Sequence, residues 1–477
     1  MWFRQDLRLA DNPALCAACE RGEIIPVYIL DDQGAGQWKM GGASRWWLHF
    51  ALADLNASLK QCLQIYQGDA LTILGDLADQ TGAATVVWNR CYEPWRIGRD
   101  ATIKTSLKES GLDVQSFNGS LLWEPWQVLK KDGTPYKVFT PYYRRGCLST
   151  VAPRRPMDPP KTLKVFVDSG DSLELDNLNL LPKIAWDESM KACWDISEAA
   201  AHARLDEFVM NELQDYREGR NFPAKQNVSR LSPYLHFGQI SPNSAWYRAA
   251  EAGAFINNEQ SLDTFMSELG WREFSYYLLY HWPKLPTENL QTRFDLFPWA
   301  NNTDEDLSAW QQGKTGYPLV DAGMRELYST GYMHNRVRMV VGSFLVKNLL
   351  IHWHRGEEWF WDCLVDADLA SNSASWQWIA GCGADAAPFF RIFNPITQSE
   401  KFDKQGSYIR RYVPELKDMP EKYIHAPWLA PAEVLAVAGV NIGINYPEPV
   451  VDIKVSRARA LEAFAVTKIQ PPDAKEV

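Results

Sequence analysis

The sequence predicts a parallel α/β domain followed by an all-α domain, with a long linker between them. Strand and helix signals alternate through roughly the first 125 residues, a cluster of prolines interrupts regular structure between 153 and 160, and helical periodicity dominates from about residue 196. The 477 residues are too many for one hydrophobic core. We therefore expect an α/β domain over 1–128, a linker over 129–195 and a helical domain over 196–477.

Three segments in the first domain predict strands at Ile24–Leu30, Thr85–Trp88 and Asp113–Phe117. Helical spacing over Ser44–Cys62 separates the first two runs, and strands separated by helices indicate a parallel sheet. The opening residues Met1–Phe3 resemble the end of a strand, so we expect either a misassigned start or a trimmed chain. No GxGxxG follows a strand, so the dinucleotide fingerprint is missing.

The second half of the chain has apolar residues at helical spacing and no internal repeat. The predicted helices are Ala199–Leu213, Leu262–Tyr280, Val320–Ser329, Asn335–Leu350 and Glu357–Leu364.

Several classes of protein are disfavoured. No run of 18 apolar residues predicts a membrane span, and the first residues lack a signal pattern, so we expect a cytoplasmic protein. Cys16 and Cys19 lie in an alanine-rich helix, where two buried thiols are favoured over a redox pair. His352 and His354 are two residues apart, which predicts different helix faces, and no HExxH is present. We expect no metal.

Net charge and tryptophan content point in different directions. The charge is −10, from 49 basic and 59 acidic residues, which argues weakly against a nucleic-acid partner. Five basic residues nevertheless lie in 391–411 against two acidic ones, and both a phosphate-binding face and a solvated surface fit that pattern. The 21 tryptophans fit core packing or the stacking of flat ligands.

Three motifs carry charge in helical contexts. Arg272 lies in an apolar helix and requires an anionic partner, either a nearby acid or a ligand. Arg336 and Arg338 open another helix and should point in different directions. Asp366 and Asp368 are close enough to bind magnesium, but capping of the next helix is the favoured interpretation.

Longer motifs are far more specific. Together they resemble the photolyase/cryptochrome family over nearly the whole chain, and the segments that carry this resemblance are Trp2–Arg8, Gly313–Pro318, Met333–Met339, Gly381–Pro395 and Tyr408–Tyr412. The resemblance implies an N-terminal Rossmann-like α/β antenna domain, a wrapping linker and a helical domain that binds FAD.

The resemblance also implies the FAD contacts. Ser229–Ser232 matches the phosphate-binding segment, Asp366 the expected partner of Arg338, and Asn372 the residue that faces flavin N5. Val228 departs from the threonine of many relatives, which puts one phosphate contact in doubt. The implied contacts are Tyr216, Ser229, Arg230, Leu231, Ser232, Arg272, Arg338, Asp366, Asp368 and Asn372.

Three further groups are implied by matching positions. The catalytic group around a flipped pyrimidine dimer is Glu268, Trp271, Asn335, Met339 and Trp378. The group that grips DNA phosphates is Arg220, Arg336, Arg391 and Lys401. The relay of electrons toward an oxidised flavin is Trp376, Trp353 and Trp299, whose alternative role is core packing.

The implied activity is that of a carbon–carbon lyase acting on DNA. Reduced FAD, excited by blue light, would transfer an electron to a cyclobutane pyrimidine dimer, split it into two pyrimidines and recover the electron. A protonated Glu268 would donate hydrogen bonds to the dimer carbonyls. The implied partner is dimer-containing DNA, and we expect a monomer without an obligate protein partner.

Within the family, the motifs are most similar to bacterial class III dimer photolyases, with class I as the near alternative. His334 before Asn335, together with Met339, disfavours the (6-4) and DASH types, and Asn372 disfavours plant cryptochromes. Similar class III proteins carry methenyltetrahydrofolate as antenna, for which no residues are assigned. The alternative functions are a cryptochrome photoreceptor without repair, which the absence of a long tail after Val477 disfavours, and a flavin electron-transfer protein without DNA.

Overall fold

The computed structural model describes residues 1–166, 172–253, 255, 258–386 and 390–468. They form two compact units. Unit 1 comprises 1–216, 228–283 and 365–371, and unit 2 comprises 217–227, 284–364 and 372–477. The predicted linker includes 167–171, which lie outside the described residues. The predicted domain boundaries after residues 128 and 195 stay predictions.

Unit 1 contains a five-stranded parallel sheet with the order β3-β2-β1-β4-β5. The strands are β1 (Trp2–Phe3), β2 (Val27–Leu30), β3 (Gln64–Gln67), β4 (Thr85–Asn89) and β5 (Asp113–Phe117). The predicted parallel α/β fold is therefore confirmed.

Two strands differ from their predictions for clear physical reasons. The strand predicted to begin at Ile24 begins at Val27, because Pro26 lacks the N–H that a sheet ladder requires. Strand β3 has the sequence QIYQ, whose polar ends conceal it from a search for apolar runs. The opening residues do form a strand, and β1 lies in the centre of the sheet.

α-Helices make up most of the remaining regular structure of the described residues, with short 3₁₀ and π-helical turns between them. They are α1 (Pro13–Arg21), α2 (Asp32–Ala35), α3 (Gly42–Ser58), α4 (Ala70–Thr81), α5 (Pro94–Glu109), α6 (Phe139–Pro141), α7 (Glu188–Lys191), α8 (Glu198–Asn211), α9 (Tyr216–Gly219), α10 (Ser232–Phe237), α11 (Pro242–Gly253), α12 (Glu259–His281), α13 (Asp304–Gln311), α14 (Pro318–Thr330), α15 (Asn335–Ser343), α16 (Trp353–Cys363), α17 (Leu369–Ala380), α18 (Pro395–Phe402), α19 (Ser407–Tyr412), α20 (Ala432–Val437) and α21 (Ile453–Val466).

The long predicted helices are present, with two changes. The helix predicted over Asn335–Leu350 is α15 followed by a π-helical turn at Phe344–Asn348. The helix predicted from Glu357 begins at Trp353, because the Nδ1 atom of His352 accepts a hydrogen bond from the backbone N–H of His354 and caps it.

The core of the α/β layer is formed by the apolar side chains of the sheet and its helices. Trp2 and Trp88 meet edge to face with ring centroids 5.6 Å apart. Trp46 and Trp47 on α3 are fully buried, and their indole N–H groups donate to Asp187 at 3.0 Å and Gln239 at 2.8 Å. Core packing accounts for both indoles of α3.

The histidine pair corrects one prediction. The rings of His352 and His354 lie 4.6 Å apart, not on opposite faces, because His352 precedes α16 as its cap. Among the described side chains, no group of three or more His, Cys, Asp or Glu is arranged to hold a metal ion. None of the described helices combines the length and apolar character needed to cross a bilayer.

A buried arginine ties the start of the chain to two distant backbone segments. Arg8 is 1% exposed, and its guanidinium donates to the carbonyls of Gly119 at 2.7 Å and Gly238 at 2.8 Å. Gly238 ends α10 at φ +71°, and a Cβ there would lie 2.1 Å from the Gln5 carbonyl oxygen. Only glycine fits this close approach of two backbone segments.

We expect Gly238→Ala to lower the free energy of unfolding by about 3 kcal/mol, from left-handed strain plus the backbone clash. Gly82→Ala is the matched control, because Gly82 also ends a helix at φ +67° but a Cβ there meets nothing within 4 Å. Its expected cost is about 1 kcal/mol. Urea unfolding measures the free energy of unfolding of both variants. An equal loss in the two would show that the backbone moves to relieve the clash at residue 238.

Candidate functional site

Asp368 in unit 1 is a buried carboxylate with several donors around it. It accepts a hydrogen bond from the backbone N–H of Ser371 at 2.7 Å, which confirms that it caps α17. It also accepts from the Tyr276 hydroxyl, and His236 Nδ1 lies 3.7 Å away. Burial opposes ionisation, but these donors outweigh it and lower the pKa of Asp368 to about 2.

Asp366 lies beside the start of α10 in the same unit. The Ser232 hydroxyl donates to its Oδ2 at 2.6 Å. Arg230, two residues before Ser232, has φ +51°, and its guanidinium lies 4.2 Å from the Trp194 ring centroid. The segment Ser229–Ser232 therefore combines a cation, hydroxyls and the N–H groups of a helix start, which are the donors that a phosphate requires.

Arg272 on α12 already has an anionic neighbour. Its Nη1 lies 3.0 Å from Glu273 Oε1 and 2.9 Å from the Ser120 carbonyl oxygen, so the ion pair allowed by the sequence is present. Glu273 also accepts from the backbone N–H groups of Leu122 and Trp123. Burial raises the pKa of Glu273 to about 7 despite these partners. No motif in the sequence pointed to a functional role for Glu273.

The two predicted dimer-binding residues of unit 1 lie on one face of α12. Glu268 and Trp271 are three residues apart and half-buried, so they neighbour each other on the helix surface. The indole of Trp271 stacks on Phe139 with centroids 3.7 Å apart and planes 13° from parallel. Tyr216, predicted to contact FAD, packs edge-on against Phe208 and Phe265.

The start of α15 in unit 2 is rich in positive charge. His334 caps the helix through Nδ1, which accepts from the Arg336 N–H at 3.2 Å. Burial, and then the charges of Arg336, Arg220 and Arg338, lower the pKa of His334 to about 3. The neutral ring can therefore keep its role as acceptor at physiological pH.

The two arginines of α15 point apart, as predicted. Arg336 donates to the Asn221 side chain at 2.5 Å and lies over the Phe402 ring, 4.5 Å from its centroid. Arg338 donates from Nε to the Met333 carbonyl at 2.7 Å. Lys401 lies 5.1 Å from the centroid of the same Phe402 ring, so two predicted phosphate contacts share one aromatic side chain.

The remaining predicted residues of α15 lie on its exposed side. Asn335 is the first residue of the helix and is exposed, whereas Met339 is half-buried with its sulfur 3.8 Å from an Arg336 nitrogen. Asn335 is therefore accessible to a ligand in unit 2, and Met339 is accessible in part.

Asn372 is held by a residue that the sequence did not single out. Its side-chain amide donates to the backbone carbonyl of Glu357 at 3.0 Å, and the Ser373 hydroxyl donates to Glu357 Oε1 at 2.5 Å. Burial raises the pKa of Glu357 to about 8. A neutral Glu357 carboxyl group thus contacts Ser373, the residue that follows Asn372. The only signal in the sequence was an acidic residue within an aromatic helix.

The three relay tryptophans all lie in unit 2. His352 joins two of them, with its ring centroid 4.9 Å from Trp299 and 5.7 Å from Trp353. Trp376 is 2% exposed and packs 5.0 Å from Phe360, directly over the backbone of Gly356. Whether electrons follow this order stays a prediction.

Trp378 and Arg391 come together at one end of α17. The Arg391 guanidinium lies 5.7 Å from the Trp378 ring centroid, and both line a small cavity of about 10 Å³ with Lys347. Lys347 is buried and donates to the Ala380 carbonyl at 2.7 Å, and burial lowers its pKa. Within the motif Gly381–Pro395, residues 387–389 lie outside the described part of the chain.

Each unit, taken by itself, presents polar groups of a kind that a flavin dinucleotide binds. In unit 1 the start of α10 supplies donors for phosphates, and Asp368 supplies an ionised carboxylate for hydroxyl or ring N–H groups. In unit 2 Asn372 supplies an amide whose position is set by Glu357.

Comparison with known proteins gives a consistent result. A family model described as "FAD binding domain of DNA photolyase" matches residues 265–466, and one described as "DNA photolyase" matches 1–161. The chain is 49% identical to the deoxyribodipyrimidine photo-lyase of Agrobacterium fabrum, over 98% of each chain. It is 39% identical to cryptochrome-2 of Arabidopsis thaliana, over 98% of this chain and 79% of the relative.

A solved structure has the same fold over nearly the whole chain. The crystal structure of a bacterial class III photolyase from Agrobacterium tumefaciens superposes with a TM-score of 0.94 at 49% identity. The match covers 98% of this chain and 97% of the other.

We expect Glu357→Gln to remove a pH dependence of stability. Between the ordinary pKa of glutamate and about 8, the folded protein keeps the Glu357 proton and the unfolded chain does not. The parent should therefore lose stability as pH rises from 5 to 8, by at most about 1.4 kcal/mol per pH unit.

Chemical unfolding at pH 5, 6.5 and 8 measures this effect. With each rise in pH, the free energy of unfolding of Glu357→Gln should increase relative to that of the parent. The control Glu358→Gln changes an exposed position of the same helix, and its stability should vary with pH as the parent's does. If the free energy of unfolding depends on pH in the same way for the parent and Glu357→Gln, Glu357 is ionised in the folded protein.

Proposed function

The chain belongs to the photolyase/cryptochrome family, and from this premise we propose that it is a deoxyribodipyrimidine photo-lyase, a light-dependent DNA repair enzyme. The observation that carries the proposal is the 49% identity to a photolyase of this name over 98% of both chains. The substrate is DNA that contains a cyclobutane pyrimidine dimer, and the reaction splits the dimer into two pyrimidines. The proposed domains are 1–128 for the antenna, 129–195 for the linker and 196–477 for FAD binding.

FAD is the cofactor, in keeping with the family model that matches 265–466. When bound and reduced, FAD supplies under blue light the electron that opens the dimer. In unit 1, Ser229–Ser232, Arg272 and Tyr216 would hold phosphates, while Asp366 and Asp368 would orient ring and ribityl groups. In unit 2, Arg338 would pair with a carboxylate, and Asn372 would present its amide. A folate antenna is proposed without assigned residues.

The dimer would be held by aromatic walls and by one acid. Trp271 has one face covered by Phe139, which supports a fixed ring orientation. Trp378 would form the second wall, with Asn335 and Met339 as polar and apolar contacts. Glu268 would donate hydrogen bonds to carbonyl oxygens on which negative charge develops, an interaction that matters most in the activated state.

DNA binding would rest on phosphate contacts from Arg220, Arg336, Arg391 and Lys401. Arg336 and Lys401 share the Phe402 ring, which supports a common phosphate-binding face. The four cations position the duplex without reading its sequence. We further propose a cytoplasmic monomer that needs no protein partner.

The alternative is a cryptochrome photoreceptor that binds FAD and repairs nothing. Its relatives match less well, since cryptochrome-2 of Arabidopsis thaliana is 39% identical against 49% for the photo-lyase. A plant cryptochrome typically carries an aspartate where this chain has Asn372. Both features favour repair.

The repair assay tests this function directly. We expect the purified protein with chemically reduced FAD to restore the absorbance of thymine dimers in an oligonucleotide under blue light. Darkness should give no repair, and Glu268→Gln should lower the yield per photon more than it lowers affinity. A reduced, DNA-binding parent without repair in light would favour the photoreceptor.

A second prediction separates repair from reactivation. Trp376→Phe keeps an aromatic ring but removes an easily oxidised indole, so it should repair normally when FAD is reduced beforehand. Starting from oxidised FAD, light-driven loss of the oxidised absorbance should slow at least tenfold, an order-of-magnitude expectation for a removed electron step. Trp353→Phe and Trp299→Phe should also slow the photoreduction of oxidised FAD.

Trp310→Phe is the packing control, because Trp310 is buried 6.3 Å from Trp376 but is not assigned to the relay. It should photoreduce like the parent. If Trp376→Phe also does so, another electron route exists and the assigned relay is wrong.

A further inference from the structure

One segment of unit 1 has a charge opposite to that of the chain. The segment 130–145 carries five basic residues and one acidic residue, within a chain of net charge −10. The basic residues are Lys130, Lys131, Lys137, Arg144 and Arg145, and all five are exposed. We call 130–145 the basic strap.

The basic strap runs antiparallel along α12. Before it begins, Trp126 packs on Tyr280 near the C-terminal end of the helix, with centroids 5.5 Å apart. Farther along, the Tyr136 N–H donates to the Tyr277 hydroxyl at 2.9 Å. At its far end, Arg144 forms a bidentate pair with Asp263, near the N-terminal end of α12.

Aromatic packing fixes the middle of the basic strap. Phe139 is buried against Trp271 on one side and stacks on Tyr143 on the other, 5.5 Å away and 8° from parallel. Tyr143 lies so close to Gly270 that a Cβ there would meet its ring at 2.6 Å. The strap is therefore held directly beside the predicted dimer-binding residue Trp271.

This course places cations toward both ends of α12, on either side of Trp271. Lys137 lies over the ring of Trp282, which follows α12. Arg144 pairs with Asp263 near the other end of the helix, and the exposed Arg145 is its neighbour in the chain. The helix length between Asp263 and His281 is about 27 Å, which corresponds to roughly eight phosphates along one strand of B-form DNA. Isolated surface pairs such as Arg144–Asp263 contribute little, so a phosphate can replace Asp263 as the partner.

We propose that the basic strap is a second phosphate-binding surface, which contacts the DNA backbone on either side of the dimer. The inference rests on the proposed function, since it takes Trp271 as a dimer contact. It adds Lys130, Lys131 and Arg145 to the cations assigned from family motifs. It predicts that these residues contribute to DNA affinity independently of base sequence.

The test is the salt dependence of binding to dimer-containing and undamaged oligonucleotides. The variants are the pair Lys130→Gln with Lys131→Gln, and Arg145→Gln alone. Each should make the plot of log affinity against log salt shallower, by about 0.9 for every phosphate contact removed. Both DNAs should be affected equally, and the repair yield per photon at saturating DNA should be unchanged.

The matched control is Lys60→Gln with Lys108→Gln, two exposed lysines of the α/β layer that remove the same charge. A change confined to the strap variants supports the proposal, whereas salt slopes equal to the control in both variants overturn it. Flavin absorbance confirms that each variant is folded. If the parent does not prefer dimer-containing DNA, the proposed function fails instead, and the two failures are distinguishable.

Discussion

The buried carboxylate of Glu273 is the interaction on which unit 1 depends. It binds the backbone N–H groups of Leu122 and Trp123 and the guanidinium of Arg272, so it fixes α12 to the chain that leaves the parallel sheet. A buried acid of this kind is tolerated only when several partners compensate for lost water. The candidate residues Glu268, Trp271 and Arg272 all lie on the helix that this anchor holds.

The buried carboxyl groups differ widely in proton affinity, and their surroundings explain why. Asp368 has two hydrogen-bond donors, a nearby His236 ring and a pKa of about 2, whereas Glu357 has one donor and a pKa of about 8. Burial by itself acts to raise the pKa of both groups. The number and charge of the neighbouring donors therefore decide whether the net pKa is high or low. Groups whose environments separate their pKa values in this way are typical of functional sites.

The charge of the whole chain is a poor guide to its partner. A net charge of −10 repels DNA at long range, yet exposed cations are present at Arg391, at Lys401 and along the basic strap, and two half-buried arginines lie on α15. Salt screens charges beyond about 10 Å, so local patches dominate at the surface that meets phosphates. Aromatic side chains hold several of these cations, as Phe402 does for Arg336 and Lys401.

The sequence by itself determined the parallel α/β layer, the long helices and the family, because these follow from apolar period and from contiguous motifs. Strand Asp113–Phe117 agrees with its prediction to the residue, and the helix cap at Asp368 was also foreseen. The short strand β3 was missed, because its alternation is too brief and too polar to stand out.

Only the tertiary structure decided which side chains support the predicted ones. Phe139 stacks on Trp271, the Glu357 carbonyl accepts a hydrogen bond from Asn372, and the His352 ring lies between Trp299 and Trp353. The local sequence around these residues does not predict any of these contacts. Such pairings depend on how distant segments pack and on which buried polar groups find partners. Periodicity fixes the face a residue occupies, whereas the neighbour on that face is set by the fold as a whole.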